Sequence, residues 1–121
     1  MSTPSPLAII PVLSSMDIER DVLWHNRFTG FNYVFGDSNY CGLQRDGHEV
    51  HLQFHHGTED DPVYGSVIKL FVKNIDPYIK EFEERGTITE EKVKKNTAWG
   101  THEFGFLDLN KNAIYLVQDI L

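Results

Sequence analysis

The sequence predicts an α+β domain made of two consecutive modules, each with the element order βαβββ. Amphipathic helical segments begin near residues 17 and 77, and short segments of alternating apolar and polar residues follow each one. This order of elements occurs twice along 121 residues, with little residue identity between the halves. We therefore expect one domain over residues 1–121, with modules over about 7–56 and 64–119.

The first module begins after a short polar tail, MSTPSP, with the apolar and β-branched segment LAIIPVLS, which is typical of a strand. Asp17 is in position to cap the helix DIERDVLWHNRF, and Gly30 follows that helix, where glycine is favoured. The segments FNYVF, YCGLQR and HEVHLQF predict three antiparallel strands. The turns between them are expected at Gly36-Asp37 and Asp46-Gly47.

The second module repeats this order. SVIKLFV predicts a strand, and Asp76 and Pro77 predict the start of the helix PYIKEFEERG, which should end at Gly86. The polar segment TITEEKVKKN leaves room for one short strand. THEFGFLDL and NAIYLVQ then predict two strands joined by a tight turn.

Charge and cysteine content exclude several classes of function. The 11 Lys and Arg against 18 Asp and Glu give a net charge of −7, which disfavours binding to nucleic acid or to anionic membranes. The single cysteine, Cys41, excludes an internal disulfide and predicts a small buried side chain. The start of the chain contains Pro4 and Pro6 and lacks the basic residues of a signal peptide, so we expect a cytoplasmic protein.

Two segments resemble those of known proteins. IPVLSSMDIERDVLWHNRFTGF is similar to the opening of bleomycin resistance proteins, where Pro-Val-Leu precedes an Asp-capped helix ending in Gly-Phe. TAWGTHEFGFLDLNKNAIYLVQ is similar to their closing Trp-Gly, Glu-Phe, Asp turn and final strand. The chain thus resembles the vicinal oxygen chelate (glyoxalase-like) superfamily, and most closely its bleomycin resistance group. It departs from that group at Leu109 and Lys111, where Pro and Gly are usual, and at His102, where a basic residue is frequent.

The resemblance implies a homodimer with ligand grooves shared between chains. It also implies that a metal, where superfamily members use one, binds at four strand positions, here approximately Ile10, His51, Val67 and Tyr115. Ile and Val carry no metal-binding atom, and a divalent ion needs three or four protein ligands. We therefore expect neither a metal nor a cofactor.

The histidine-rich stretch RDGHEVHLQFHH supports the same expectation independently. Four of the six histidines lie in it, at positions 48, 51, 55 and 56. In a strand, His51 and His55 are about 13 Å apart, which is too far for two ligands of one ion. His55 and His56 are adjacent and point to opposite faces.

Several residues are candidates for ligand contacts. Trp99 offers a large rigid face with one N–H group, although the sequence fits a packing role equally well. Glu103 and Phe104 point to opposite faces of one strand, so only one of them can line a groove, and the sequence leaves that choice open. The predicted ligand-binding residues are Tyr33, Phe35, His51, Trp99, His102, Phe104 and Tyr115.

The predicted function is a metal-independent protein that sequesters a planar small molecule, such as a bleomycin-type antibiotic. The acidic composition is compatible with a cationic ligand. No catalytic residue is predicted, because the sequence has no Gly-rich phosphate loop, no nucleophile elbow and no plausible Ser-His-Asp set. Two alternatives are a metal-dependent lyase, isomerase or thiol transferase of the same superfamily, and a binder of an unrelated metabolite.

Overall fold

Two helices and seven strands make up residues 3–121, the part of the chain that this computed structural model describes. The first two residues of the MSTPSP tail lie outside that range. The first module comprises β1 (Val12–Ser15), α1 (Ile18–Phe28), β2 (Asn32–Gly36), β3 (Tyr40–Arg45) and β4 (His48–Phe54). The second comprises β5 (Val67–Phe71), α2 (Asp76–Glu84), a 3-10 turn (Glu90–Lys92), β6 (Thr101–Leu107) and β7 (Ala113–Asp119).

The strands form two sheets, one in each module. The first sheet has the order β1-β4-β3-β2, in which β1 is parallel to β4 and the other neighbours are antiparallel. The second has the order β5-β7-β6, in which β5 is parallel to β7 and β6 is antiparallel to it. With one helix in each module, this is the α+β architecture that the sequence predicts.

Two segments differ from the expected strands. TITEEKVKKN forms the 3-10 turn and a single antiparallel bridge between Lys94 and Glu103, because its charged residues do not alternate and Asn96 adopts a left-handed φ of 54°. LAIIPVLS becomes a strand only at Val12. Pro11 has no N–H to donate to a ladder, although its carbonyl accepts a bond from the His51 amide at 2.9 Å.

The helix ends follow from local capping. The Asp17 carboxylate accepts the Arg20 amide at 3.0 Å, as predicted, and Gly30, with a φ of 78°, donates its amide to the His25 carbonyl. Helix α2 begins one residue earlier than predicted. Asp76 is its first residue rather than its cap, and the Asn74 side chain accepts the Asp76 amide at 3.1 Å.

Each helix covers one face of its own sheet. The core beneath α1 contains Leu13, Ile18, Phe31, Cys41, Leu43, Val50 and Leu52. The core beneath α2 contains Ile75, Phe82, Ile88, Phe104 and Leu116. Leu70 of β5 packs against both cores, so the modules are joined through apolar contacts. Neither helix covers the opposite face of its sheet, and these uncovered faces form the candidate site.

Polar side chains also join the modules. Asn110, in the turn between β6 and β7, donates its side-chain amide to Asp21 of α1 at 2.7 Å and accepts the Met16 amide at 2.9 Å. Arg45 of β3 donates two hydrogen bonds to Glu81 of α2, and this guanidinium lowers the pKa of the Glu81 carboxyl. The paired groups fix how the two sheets lie relative to each other.

Three further features bear on the sequence predictions. Cys41 is fully buried, as expected, and burial raises the pKa of its thiol. Trp24 packs between the modules, with ring centroids 5.4 Å from Phe28 and 6.3 Å from Phe106. Across residues 3–121, neither helix combines the length and the apolar composition that crossing a membrane requires.

Candidate ligand-binding faces

The two uncovered sheet faces carry most of the residues with the chemistry to bind a ligand. The first open face is formed by side chains of the first sheet that point away from α1. These are Val12, Phe35, Tyr40, Gly42, Glu49 and His51. The second open face is formed by the second sheet and the residue Trp99 before β6. It comprises Val67, Lys69, Phe71, Trp99, Glu103, Gly105, Leu107 and Tyr115.

The register of the first sheet places four residues in one row across its strands. Val12 pairs with His51, His51 with Gly42, and Gly42 with Phe35. The Phe35 ring lies against Gly42, where any β-carbon would collide with it, and meets the His51 ring edge-on at 5.2 Å. Glycine in this strand therefore lets an aromatic ring lie flat on the sheet.

Tyr40, His51 and Glu49 form a hydrogen-bonded chain on the first open face. His51 Nε2 lies 2.9 Å from Glu49 Oε2, and His51 Nδ1 lies 2.6 Å from the Tyr40 hydroxyl. A carboxylate accepts hydrogen bonds, so we assign the neutral imidazole proton to Nε2, and the Tyr40 hydroxyl then donates to Nδ1. The arrangement fixes the imidazole and leaves the Tyr40 oxygen with free acceptor capacity.

The histidines of the RDGHEVHLQFHH stretch diverge. His51 points to the first open face, His55 lies 3.0 Å from the Asp61 carboxylate, and the His56 ring meets the Phe54 ring edge-on at 4.9 Å. Within residues 3–121, no three His, Cys, Asp or Glu side chains come together in a group able to hold a metal ion. The alternation of Val50 and Leu52 with Glu49 and His51 is as predicted, since both apolar side chains lie in the core. Absence of a bound metal remains a prediction.

The second open face has a similar row. Lys69 pairs with Tyr115, and Tyr115 with Gly105. The Tyr115 ring covers Gly105, where a β-carbon would collide with it, and the Lys69 ammonium lies 5.8 Å from the centre of that ring. The spacing is that of a cation–π contact. Thus each sheet carries an aromatic ring laid over a glycine.

Trp99 is tied to a carboxylate on the second open face. Its indole N–H donates to Glu103 Oε2 at 3.2 Å, and the Thr101 hydroxyl donates to the same oxygen at 2.8 Å. Trp99 is 63% exposed, whereas Glu103 is only 9% exposed. The indole ring is therefore presented to solvent while its one polar atom is satisfied.

The structure decides between Glu103 and Phe104. Glu103 lies on the open face, and Phe104, 1% exposed, packs against Phe82 of α2 with ring centroids 5.4 Å apart. His102 shares the orientation of Phe104, and its Nδ1 accepts the Asn96 amide at 2.9 Å. The prediction that Phe104 and His102 line the ligand groove is therefore wrong, because both side chains point to the α2 side of the sheet.

Tyr33 and Phe35, two residues apart in β2 and both predicted to bind the ligand, lie on opposite faces of the first sheet. Tyr33 pairs with Leu43, a core residue, while Phe35 pairs with Gly42 on the open face, because the register shifts between them. This bulge breaks the alternation that would put both rings on one face. The Tyr33 hydroxyl instead donates to the Gly36 carbonyl at 2.6 Å. Of the predicted residues, the structure brings Phe35 into contact with His51, and it places Trp99 and Tyr115 on the same face of the second sheet without a contact between them.

Sequence reasoning missed Tyr40, Glu49 and Lys69 as site residues. Tyr40 and Glu49 have the strand parity of the open face, and this signal was readable in the alternation of β3 and β4. Glu49 reaches His51 from two residues away on the same strand, whereas the contact of Tyr40 with His51 depends on the pairing register of β3 and β4, which the alternation does not specify. Lys69 follows the same rule in β5.

A cleft of about 930 Å³ also lies between the modules, and its lining includes three residues of the open faces, Glu49, Lys69 and Phe71. Its floor is formed by core side chains, among them Val50, Phe82 and Leu116, and its rim by Arg45, Lys69 and Lys73. The volume is suitable for a small molecule. However, the lining lacks His51, Trp99 and Tyr115, and Arg45 is already paired with Glu81. The open faces therefore remain the stronger candidate.

Comparison with known proteins identifies the fold. No family model matches the chain, and no curated protein matches it in sequence. A bleomycin resistance determinant encoded on the transposon Tn5 has a similar structure, with a TM-score of 0.75, 19% identity, and coverage of 94% of this chain and 98% of that one. The chain thus has the fold of a bleomycin resistance protein.

Two other solved structures extend the comparison. A glyoxalase/bleomycin resistance protein/dioxygenase from Nocardioides has a TM-score of 0.75 at 13% identity, with coverage of 98% of this chain and 87% of that one. A bleomycin-binding protein from bleomycin-producing Streptomyces verticillus, complexed with copper(II)-bleomycin, has a TM-score of 0.72 at 20% identity, with coverage of 94% and 97%. The fold is therefore shared by binding proteins and by proteins named for enzymes.

Proposed function

We propose that this chain is a metal-independent binding protein that sequesters a planar small molecule in a groove built from the two open faces. The observation that carries the proposal is the pair of aromatic rings laid on glycines, Phe35 over Gly42 and Tyr115 over Gly105, together with the exposed Trp99. Flat rings bind planar ligands by stacking, and a few fixed polar groups then set orientation. A bleomycin-type antibiotic is the first ligand to test, since fold neighbours include bleomycin-binding proteins.

Sequestration needs no catalytic group, and the polar groups of the first open face support this interpretation. Tyr40, His51 and Glu49 bond one another, and the chain they form lies beside the Phe35 ring. Such a set orients a ligand by accepting and donating hydrogen bonds. It shares the hydroxyl–imidazole–carboxylate order of a Ser-His-Asp set, but its hydroxyl is the phenol of Tyr40 and not the aliphatic hydroxyl of a serine nucleophile.

We further propose that the functional unit is a homodimer in the cytoplasm. Phe71, Val67 and Leu107 are each about 60% exposed on the second open face, and Phe35 and Val12 are more than 40% exposed on the first. Apolar side chains clustered in this way are typical of surfaces that are covered by a partner or a ligand. Pairing a first open face with a second open face of another copy would cover both.

A metal-dependent lyase, isomerase or transferase is the main alternative. It is disfavoured by the positions that would supply ligands, because Ile10 and Val67 are aliphatic and His51 is already bonded to Tyr40 and Glu49. Binding of an unrelated metabolite by the same faces is the other alternative, since one fold serves many functions.

Three measurements test the proposal. Isothermal titration with bleomycin and with a panel of planar aromatic compounds should give saturable binding, and no binding by any of them would refute it. Metal analysis after dialysis should find no stoichiometric metal. About one ion per chain, lost in the variant His51→Ala, would support the enzyme alternative instead. Light scattering at micromolar concentration should give twice the 14.0 kDa chain mass.

A further inference from the structure

Glu103 is a nearly buried carboxylate that lacks a cationic partner. It faces the second open face at 9% exposure, and none of the salt bridges formed within residues 3–121 includes it. Lys94 stands opposite it in the antiparallel bridge, but the Lys94 ammonium is not within 4 Å of the carboxylate. Withdrawing an anion from water is unfavourable unless other groups compensate it.

The two carboxylate oxygens of Glu103 are used differently. Trp99 and Thr101 both donate to Oε2, and no side chain or amide of residues 3–121 donates to Oε1. In the same range, His25 Nε2 is the only side-chain nitrogen or oxygen that is fully buried without a hydrogen bond. Oε1 therefore remains open to whatever occupies the second open face, and it carries negative charge there.

The surroundings of Oε1 suit a flat ring. Phe71, Val117 and Glu103 form one row across the three strands. Adjacent strands lie about 4.8 Å apart, so Phe71 and Glu103 are separated by roughly 10 Å, a span that accommodates a bicyclic ring system. Phe71 and Trp99 are both more than 60% exposed and offer open aromatic faces, while Val117, which lies between Phe71 and Glu103 in the row, is itself buried.

We propose that Glu103 recognises the positive charge of a planar aromatic cation that stacks on Trp99. This inference rests on the proposed function and specifies its ligand class. The cation would be of the N-alkylated heteroaromatic kind, with its charged ring directed toward Oε1. Lys69 lies on the same face over Tyr115, and it would direct the charged end of the ligand away from itself and toward Glu103.

A conservative substitution separates this role from a positioning role. Glu103→Gln removes the charge but keeps a carbonyl oxygen that accepts the Trp99 indole N–H and the Thr101 hydroxyl. If Glu103 only positions Trp99, this variant should bind all planar ligands like the parent. If Glu103 recognises charge, it should lose affinity for cations alone.

The probes are 1-methylquinolinium and 1-methylnaphthalene, which have nearly the same shape and differ in charge. By isothermal titration, the parent should prefer the cation. In Glu103→Gln, affinity for the cation should fall at least about tenfold, while affinity for the neutral probe stays within about twofold. Glu84→Gln, an equal charge change at an exposed position of α2, should leave both affinities unchanged.

The outcomes separate this inference from the proposed function. If both probes bind the parent and Glu103→Gln leaves their affinity ratio unchanged, Glu103 does not recognise charge, and the binding function stands. If neither probe nor bleomycin binds the folded parent, the proposed function and this inference both fail. The proton chemical shift of the Trp99 indole N–H should stay close to its parent value in Glu103→Gln, as expected if the ring keeps its hydrogen bond.

Discussion

The two open faces share a backbone plan and differ in how their polar groups are used. Each carries an aromatic ring over a glycine, Phe35 over Gly42 and Tyr115 over Gly105. On the first face the polar groups bond one another, so that His51 is saturated by Tyr40 and Glu49. On the second face, Lys69 and Glu103 form no ion pair with any residue in the range 3–121.

This difference indicates a division of labour within one groove. The polar groups of the first face are held in place by one another, and they orient a ligand through hydrogen bonds. The second face carries an ammonium and a carboxylate that are not paired, so it selects a ligand by the ligand's own charge distribution. Because each face carries an aromatic ring that lies flat over a glycine, both faces favour a planar ligand. Selectivity for charge should then reside in the second module.

Lowering the pH should have the largest effect on the free energy of unfolding, and it should act through His25 of the first module. Burial lowers the pKa of His25, a residue of α1 that is 2% exposed, from 6.5 to about 4. The unfolded chain binds this proton near pH 6.5, while the folded chain resists it until about pH 4. The stability contributed by neutral His25 is therefore complete above pH 6.5 and is lost as the pH falls toward 4. Between pH 7.5 and 5 the loss should be about 2 kcal/mol, at about 1.4 kcal/mol per pKa unit.

Urea unfolding of the parent and of His25→Gln across this pH range measures the effect. The variant should lose the extra pH dependence, and His48→Gln, at the exposed first residue of β4 in the same module, should keep it. Equal slopes for the parent and His25→Gln would show that His25 does not control the acid response.

Removing the indole of Trp99 should have the next largest effect. Trp99→Ala should weaken binding of a planar ligand at least about tenfold, equivalent to about 1.4 kcal/mol, because it deletes the exposed stacking surface of the second face. Trp24→Phe is the matched control, since Trp24 packs between Phe28 and Phe106 rather than on an open face. Fluorescence titration of both variants checks this, and unchanged affinity in Trp99→Ala would reduce Trp99 to a packing residue.

Substituting the two glycines tests whether the faces act as equal walls. Gly42→Ala and Gly105→Ala each place a methyl group where the ring of Phe35 or Tyr115 now lies. Displacing one stacking ring should cost about 1 kcal/mol of binding, or roughly fivefold in affinity. Calorimetric titration of both variants gives the comparison. An effect confined to Gly105→Ala would show that the first face does not contact the ligand.

Removing a hydrogen bond from the Tyr40–His51–Glu49 chain should have an effect of similar size on stability and little on ligand stacking. Tyr40→Phe removes the hydroxyl that bonds His51 and should lower the free energy of unfolding by about 1 kcal/mol. Tyr33→Phe removes a hydroxyl bonded to the Gly36 carbonyl, so it should cost a similar amount. Only Tyr40→Phe should shift the ¹⁵N resonance of His51 Nδ1, and no shift would mean that the chain is not formed in solution.

Most of the fold was predictable because the determinants are local. Asp17 and Gly30 set the ends of α1 through contacts within a few residues, and Asp46-Gly47 sets a turn by adopting positive φ. Alternation along β4 likewise divides core from face without reference to any other strand. The unexpected elements arise where local signals are weak, as in the charged segment TITEEKVKKN.

The sequence by itself determined which side chains can share a face, and the tertiary structure decided which of the two faces a helix covers. Parity separated Glu103 from Phe104, but only the packing of Phe104 against Phe82 showed that Glu103 is the one on the open face. Parity also grouped Tyr33 with Phe35, and the bulge in β2 separated them. The contacts of His51 with Tyr40 and of Trp99 with Glu103 depend on register and loop path, which are set by long-range packing rather than by residue spacing along one strand.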